Sequence, residues 1–370
     1  MKKVVLIENN ILATNTIRFK LTDALVKHGY LITILTTGLP HELQQARDNG
    51  FKVIDIGTSN QHPADILRYL KNLRNNLKSI SPDVCLTFTM RPAIWGNMIT
   101  RILQIPTITN ITGIGPLFEH KNFSYKAARK LYKYVLKKTA KVFFQNKDDM
   151  SLFLENKFIS DSQTALIPGS GVDYEYYLPI PSVTIKNNFV FLFVGRLIRD
   201  KGIGEFVTAA AEIKKRYPEA KFQVLGPLWT QNLSSNTISA AELNTWQDDN
   251  IIEYLGEAKD IRSYLANADC VVLPSYREGM SNILLEAGSM EKPCISCDTT
   301  GCREIVEDGV TGYLCKVRDA ADLAEKMIKM YNLPSDKRTE MGVEARKKII
   351  RQFGKQIVID AYISAIEQLL

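Results

Sequence analysis

The chain has 370 residues, more than the roughly 250–300 that one hydrophobic core sustains, so two domains are expected. Hydrophobic residues make up 45% and charged residues 24%, and the longest apolar runs, such as "FVFLFVG", fall far short of the about 20 residues of a membrane span. The net charge of +7 is lopsided: residues 1–180 hold 23 Lys/Arg against 14 Asp/Glu, whereas residues 181–370 hold 24 against 26, so the first half is the one suited to an anionic partner.

The opening "MKKVVLIENN" has an apolar core of only Val4–Ile7, too short for a secretory signal. Hydrophobic periodicity predicts a strand at Lys3–Ile7 and a helix over Thr16–His28, with Phe19, Leu21, Ala24 and Leu25 on one stripe and Gly29 as its stop. Strands follow at Leu31–Thr37 and Lys52–Ile56, then a helix at Ala64–Ser79 and a strand at Asp83–Phe88. Next come a helix near Ala93–Leu103, a strand at Pro106–Ile111, a glycine loop, a basic helix at Tyr125–Thr139 and a strand at Lys141–Asn146. The proline-bearing, aperiodic stretch Tyr176–Asn188 reads as a linker. The alternation then restarts: strand Phe189–Val194, helix Ile203–Tyr217, strands Lys221–Leu225 and Ile251–Tyr254, helix Asp260–Asn267, strand Cys270–Pro274. A helix through Glu286, the strand Lys292–Cys297 and more helix complete the chain.

This pattern is α/β: an N-terminal Rossmann-like domain over residues 1–180 and a second over 181–354, each with a mostly parallel sheet. Ligands of such sheets bind at the carboxyl ends of the strands, so two facing sheets would place a site in the cleft between them. Six cysteines include one CxxC, Cys294 and Cys297, without a second pair or histidines at ligand spacing; reduced thiols of a cytosolic protein and no metal site are expected.

Four stretches carry chemistry. "REGMSNILLEAG" (Arg277–Gly288) follows a strand. Gly279 lets backbone approach a ligand, Ser281 or Asn282 can cap the ensuing helix, and the helix start offers N–H groups and a positive dipole end to a phosphate. Glu278 stands at the loop and Glu286 about a turn into the helix, where a carboxylate can accept two ribose hydroxyls; two merely solvated glutamates are the alternative. "VGRLIRDKG" (Val194–Gly202) brings Arg196 and Lys201 to a strand end, a pair suited to a diphosphate, or an ordinary charged turn. "IPGSGVD" (Ile167–Asp173) is a glycine-rich turn. "TTGCREIVEDGVTGYL" (Thr299–Leu314) places Gly301 where backbone could touch phosphate or sugar, with Glu304 readable as first-turn helix charge.

In this order and spacing the four stretches resemble the retaining glycosyltransferases of family four, whose fold is called GT-B. The likeness is closest over Phe189–Tyr331. Arg91–Phe118, "RPAIWGNMITRILQIPTITNITGIGPLF", is similar to the subgroup that extends lipid-linked sugars for bacterial surface polysaccharides or glycans.

The resemblance implies a nucleotide-sugar donor, a UDP-sugar above all, and no other cofactor. Glu286 would hold the ribose, and Arg196 and Lys201 the diphosphate. Glu278 and the Gly279, Met280, Ser281, Asn282 segment would meet the donor sugar or its phosphate, with Gly301 beside them and the base near Pro227, Leu255 and Gly256. The catalytic set is Glu278, Arg196 and Lys201. The donated sugar would be a hexose or an N-acetylhexosamine, the acceptor a saccharide on polyprenyl diphosphate. It also implies that a last helix, about 355–370, packs back on the N-terminal domain. Cations in place of metal, and no Asp-x-Asp in the chain, imply metal independence.

Two departures from the family stand out. The family's glycine-rich loop after the first strand is replaced by "ENNILATNT" (Glu8–Thr16), which puts Asn15 and Thr16 on the acceptor side with Arg91, Gly113 and Gly115. The histidine many members carry near the donor sugar is missing from Asn110–Gly115, with His120 nearby.

From Lys121 to Lys141 there are eight basic residues and no acid, interleaved with aromatics. Lys126, Arg129, Lys130, Lys133 and Lys137 would face an anionic membrane, with a thinner basic run at Arg68–Lys78. This implies peripheral attachment to the cytoplasmic face of the membrane; two solvated helix faces are the plainer reading. No nucleic-acid-binding signature accompanies the charge. Two other functions stay open: a nucleotide-sugar epimerase of the same fold, and a non-catalytic membrane-associated scaffold.

Overall fold

A computed structural model describes residues 1–58, 63–114, 118, 123–181, 188–228 and 236–370. The chain divides into two units, Met1–Ser170 with Lys355–Leu370, and Gly171–Gly354.

The first unit runs β1 (Lys3–Ile7), α1 (Leu12–Asn15), α2 (Phe19–Lys27), β2 (Leu31–Thr36), α3 (Pro40–Asp48), β3 (Lys52–Asp55), α4 (Pro63–Ile80), β4 (Val84–Phe88), α5 (Met90–Ile102), β5 (Thr107–Ile111), α6 (Phe123–Leu136), β6 (Lys141–Phe144), α7 (Lys147–Glu155) and β7 (Thr164–Leu166). Its sheet has the order β3-β2-β1-β4-β5-β6-β7, and its strand pairs are parallel. The second unit runs β8 (Val190–Val194), α8 (Ile203–Arg216), β9 (Lys221–Leu225), α9 (Ala240–Asp248), β10 (Glu253–Tyr254), α10 (Arg262–Asn267), β11 (Cys270–Leu273), α11 (Asn282–Ser289), β12 (Cys294–Cys297), β13 (Gly312–Cys315), α12 (Ala320–Asn332) and α13 (Ser335–Phe353). Its parallel sheet has the order β10-β9-β8-β11-β12-β13.

Central strands β4, β5, β8, β11 and β12 are buried at every residue. That is why they read as continuous apolar runs: helices cover both faces of a parallel sheet. The last helix, α14 (Lys355–Glu367), buries Val358, Ile359, Tyr362, Ala365 and Ile366 in the core of the first unit. Large apolar side chains buried this way contribute about 1.5–3 kcal/mol each.

The boundary between units falls at Ser170/Gly171, ten residues before the expected 180/181. Val172 lies in the core of the second unit, Tyr177 packs against that core, and Arg346 donates to the carbonyls of Tyr174 and Tyr177. The start of the presumed linker is thus fixed structure. Its residues 182–187 lie outside the described residues.

Helices α3, α7 and α9 and strands β7 and β13 were not legible as elements. α3 and α9 bury only Leu43 and Ala46, and Leu243, so their apolar stripe is too thin for periodicity to register. α5 begins at Met90, three residues before the expected start, because Pro92 sits in the first turn, where its missing N–H costs nothing.

Candidate active site

The buried strand β8 ends at Gly195 and Arg196. A tight 3₁₀ turn, Arg199–Lys201, then leads into α8 through Gly202. Gly202 has φ +75°, and a Cβ there would stand 2.1 Å from the carbonyl oxygen of Pro274, so the turn presses against the loop that leaves β11. Two bonds fasten the loops: the Tyr276 N–H and the Ser275 Oγ both donate to the Asp200 carbonyl, at 2.9 and 3.2 Å. Lys201 is thereby set against Glu278, and their side chains form an ion pair with 18% and 13% exposure.

The Glu278 loop is anchored on its far side too. The Glu278 N–H donates to the Thr300 carbonyl at 3.0 Å, and the Ser281 N–H to that of Gly301 at 3.0 Å. Gly301 has φ +80°, and a Cβ on it would lie 2.5 Å from the Glu278 carbonyl oxygen. Its own N–H donates to Glu304 Oε2 at 2.7 Å. Gly301 therefore stands behind Glu278 as a support, with both its polar backbone groups engaged. Glu304, read from the sequence as helix charge, caps that support.

Ser281 is the N-cap of α11, but its side chain makes no capping hydrogen bond. The first turn of the helix, including Asn282 and Ile283, borders a pocket of about 290 Å³. Arg196, Lys201, Glu278, Met280, Ser281 and Glu286 also line it, and Ile261 contributes an apolar wall. The pocket thus gathers two cations, two carboxylates and a helix start, whose leading N–H groups have no partner one turn back.

The other donor-side residues lie next to this pocket. Gly226 would clash at 2.0 Å with the Gly195 carbonyl if it carried a Cβ, so the ends of β8 and β9 nearly touch. The Gly226 N–H donates to Gly256 at 2.7 Å, and the Leu197 N–H to Pro227 at 3.1 Å. Pro227, Leu255 and Gly256 therefore sit on strand ends adjoining Arg196, outside the pocket wall.

Two contributors escaped sequence reasoning. Ile261 follows Asp260 in a stretch with no motif. Tyr177, in the presumed linker, lies near Glu286: burial first, and the Glu286 carboxylate second, push its phenol far above its usual pKa.

In the first unit, the family's glycine loop is replaced by an inward-facing cluster. Glu8, at the end of β1, accepts from Thr14 Oγ1 at 2.6 Å and pairs with Arg18 at 3.4 Å, and Arg18 lies 4.3 Å from the Phe88 ring centroid. Burial raises the Glu8 pKa, and Arg18 opposes the rise. Asn15 donates to the Glu42 carbonyl at 2.8 Å while its Oδ1 is buried without a partner among the described residues. Thr16 is exposed and donates to the Leu12 carbonyl at 2.7 Å. Arg91 is exposed on the first turn of α5, and Gly113, at φ +136°, follows β5. Gly115 and His120 lie outside the described residues.

On α6, Lys126 and Lys130 are exposed, Arg129 and Lys133 are half-buried, and Lys137 is exposed just past its end. Lys133 donates to the Asn156 carbonyl at 2.8 Å, a bond that ties it to the fold.

Two Rossmann-like units, the second with a charged pocket at its strand ends, constitute the GT-B architecture. Residues 3–146 match the family model described as Glycosyl transferase 4-like, residues 180–348 match that of Glycosyl transferases group 1, and the chain belongs to this glycosyltransferase family. It is 26% identical over 302 residues to the N,N'-diacetylbacillosaminyl-diphospho-undecaprenol alpha-1,3-N-acetylgalactosaminyltransferase of Campylobacter jejuni, covering 77% of each chain. It is 26% identical over 306 residues to the UDP-Gal:alpha-D-GlcNAc-diphosphoundecaprenol alpha-1,3-galactosyltransferase of Escherichia coli, covering 78% of this chain and 76% of that one. Its fold matches that of Anabaena Alr3699/HepE, solved in complex with UDP and glucose, with a TM-score of 0.81 at 17% identity over 100% of both chains.

Proposed function

We propose that this glycosyltransferase moves a hexosyl or N-acetylhexosaminyl group, with retention and without a metal ion, from a UDP-sugar to a saccharide carried on polyprenyl diphosphate, at the cytoplasmic face of a bacterial membrane. The observation that carries this reading is the meeting of Arg196, Lys201, Glu278, Glu286 and the start of α11 around one pocket. The names of the Campylobacter and Escherichia coli relatives, both transferases acting on diphosphoundecaprenol-linked sugars, support the acceptor class.

In this reading Glu286 accepts the two ribose hydroxyls, and the base lies toward Pro227, Leu255 and Gly256. Arg196, Lys201 and the N–H groups opening α11 hold the diphosphate. As the bond from the anomeric carbon to the phosphate oxygen breaks, negative charge grows on the leaving group. Fixed cations and helix N–H groups stabilise that charge without reorganising. The acceptor hydroxyl attacks from the same face and its proton passes to the departing phosphate, which gives retention without a protein nucleophile. Glu278, Gly279 and Met280 orient the donor sugar. Asn15, Thr16, Arg91 and Gly113 are assigned to the acceptor side.

The test is thermal stability against UDP, GDP, ADP and CMP for the wild type and Glu286→Ala. UDP should stabilise the wild type selectively. The variant should bind UDP at least about a hundredfold more weakly, because two hydrogen bonds to a charged group, each contributing about 1.5–3 kcal/mol, are lost. Equal affinity in the two proteins removes Glu286 from the ribose. Indifference to every nucleotide overturns the donor site.

A further inference from the structure

Tyr276 stands where the Lys201 turn, the Gly301 loop and the start of α8 meet. Its N–H donates to the Asp200 carbonyl at 2.9 Å, and its own carbonyl accepts from Thr299 Oγ1 at 3.0 Å. Its hydroxyl donates to Glu205 Oε1 at 2.7 Å, and Glu205 belongs to the first turn of α8. The guanidinium carbon of Arg318 lies 4.6 Å from the centroid of its ring.

Helix α8 is the fixed partner in this arrangement, since Ile203 and Phe206 are fully buried in the core of the second unit. The loop that leaves β11 is moored to it twice. Its backbone is moored at Asp200, just before Lys201, and the tyrosine hydroxyl is moored at Glu205, four residues after Lys201. The lysine lies between the two moorings, and Glu278 lies two residues beyond Tyr276. The place of Glu278 relative to Lys201, its ion-pair partner, is thus set through Tyr276.

Phenylalanine at 276 would keep both backbone bonds and the contact with Arg318. It would lose only the bond to Glu205, so that bond can be tested by itself. Burial first, and the Glu205 carboxylate second, push the phenol up to about 12, so the hydroxyl keeps its proton and stays a donor at neutral pH. A cation whose surroundings are fixed beforehand needs no ordering when an anion arrives.

We infer that Tyr276 is a positioning residue for the donor diphosphate: its hydroxyl, bonded to Glu205, holds the Glu278 loop in register with Lys201, so that the cation stands ready for the phosphates. The inference rests on the assignment of Lys201 to the diphosphate made above.

The test measures the affinity for UDP and for uridine, which lacks the phosphates, in the wild type, Tyr276→Phe, Glu205→Ala, Lys201→Ala and the double variants. Tyr276→Phe should weaken UDP by about three- to tenfold, the worth of one hydrogen bond, and leave uridine unchanged. Glu205→Ala should do the same, and the two together should cost no more than either alone. In the Lys201→Ala background, Tyr276→Phe should have no further effect. With a UDP-sugar and acceptor, Tyr276→Phe should raise KM for the donor and leave KM for the acceptor unchanged. A loss shared by uridine, a loss that persists without Lys201, a matching rise in the acceptor KM, or additive losses with Glu205→Ala makes Tyr276 a general support of the fold and overturns the inference. Unchanged UDP affinity in Tyr276→Phe alongside weakened binding in Lys201→Ala overturns it too, and leaves the diphosphate assignment standing. Unchanged affinity in Lys201→Ala removes the diphosphate assignment itself, and the inference with it.

Discussion

Lys201 and Glu278 neutralise each other in the pocket, and this makes their contributions to binding and turnover opposite in sign. Two unit charges about 4 Å apart interact by about 4 kcal/mol at an effective dielectric near 20, before desolvation is subtracted. A diphosphate entering the pocket therefore competes with Glu278 for Lys201. Glu278→Gln keeps the side-chain shape and removes the competing charge. Its expected phenotype is UDP affinity unchanged or up to about tenfold tighter, by Coulomb's law, with kcat reduced about a hundredfold. Titration calorimetry and initial rates check the two halves separately, and weaker UDP binding by Glu278→Gln would show that the carboxylate itself touches the nucleotide. Arg196, Lys201 and Glu278 were legible in the sequence because each lies in a loop that follows an apolar strand, where a charge has few structural reasons to be, and Glu286 because it interrupts the apolar run of the helix that follows. Tyr177 was not, because nothing local distinguishes a tyrosine in a linker from one that packs on a core near a carboxylate 109 residues further along.

At the scale of elements, the central strands were readable because burial on both faces writes them as apolar runs, and the strands β7 and β13 and the thinly buried α3 and α9 were not. The loops show a different limit. "GMS" and "TTG" could be placed at strand ends from the sequence, but not their mutual support through the Glu278–Thr300 and Ser281–Gly301 bonds. That support makes Gly301 a test of the loop as a unit. Alanine there meets a positive φ and a carbonyl at 2.5 Å, and the yielding atoms belong to Glu278. A residue forced into this backbone region costs about 1–3 kcal/mol. Gly301→Ala should lower the melting temperature by a few degrees, for about 2 kcal/mol in a domain of this size, and raise the Kd for UDP. Scanning calorimetry with and without UDP reads both effects. A melting temperature equal to that of the wild type would show that the loop yields freely and does not hold Glu278.

Across the whole molecule the charge follows the two units. Met1–Ser170 with Lys355–Leu370 carries 24 Lys/Arg and 14 Asp/Glu, and Gly171–Gly354 carries 23 and 26. Within the first unit the excess collects on neighbouring helices, since α5 packs against both α4 and α6. Arg68, Lys71, Arg74 and Lys78 are exposed on α4, and Lys126 and Lys130 on α6. Among them stand three apolar side chains left in water: Leu67 at 68%, Ile102 at 61% and Tyr134 at 56% exposure. Basic residues with interspersed exposed apolar groups form the composition of a surface that rests on anionic lipid. No described helix is long and apolar enough to cross a membrane, so attachment through these helices would be electrostatic first and apolar second. Each basic residue at an anionic surface contributes about 1 kcal/mol, so replacing Lys71, Arg74, Lys126 and Lys130 by glutamine should weaken vesicle binding by about a thousandfold. Sedimentation with vesicles of phosphatidylglycerol and phosphatidylcholine should carry down the wild type at low salt, release it at high salt, and fail to carry down the quadruple variant. Its UDP affinity should equal that of the wild type, because the substitutions lie in the other unit from the pocket. Equal sedimentation of both proteins, or wild-type binding indifferent to salt, would return the basic helices to the role of solvated faces.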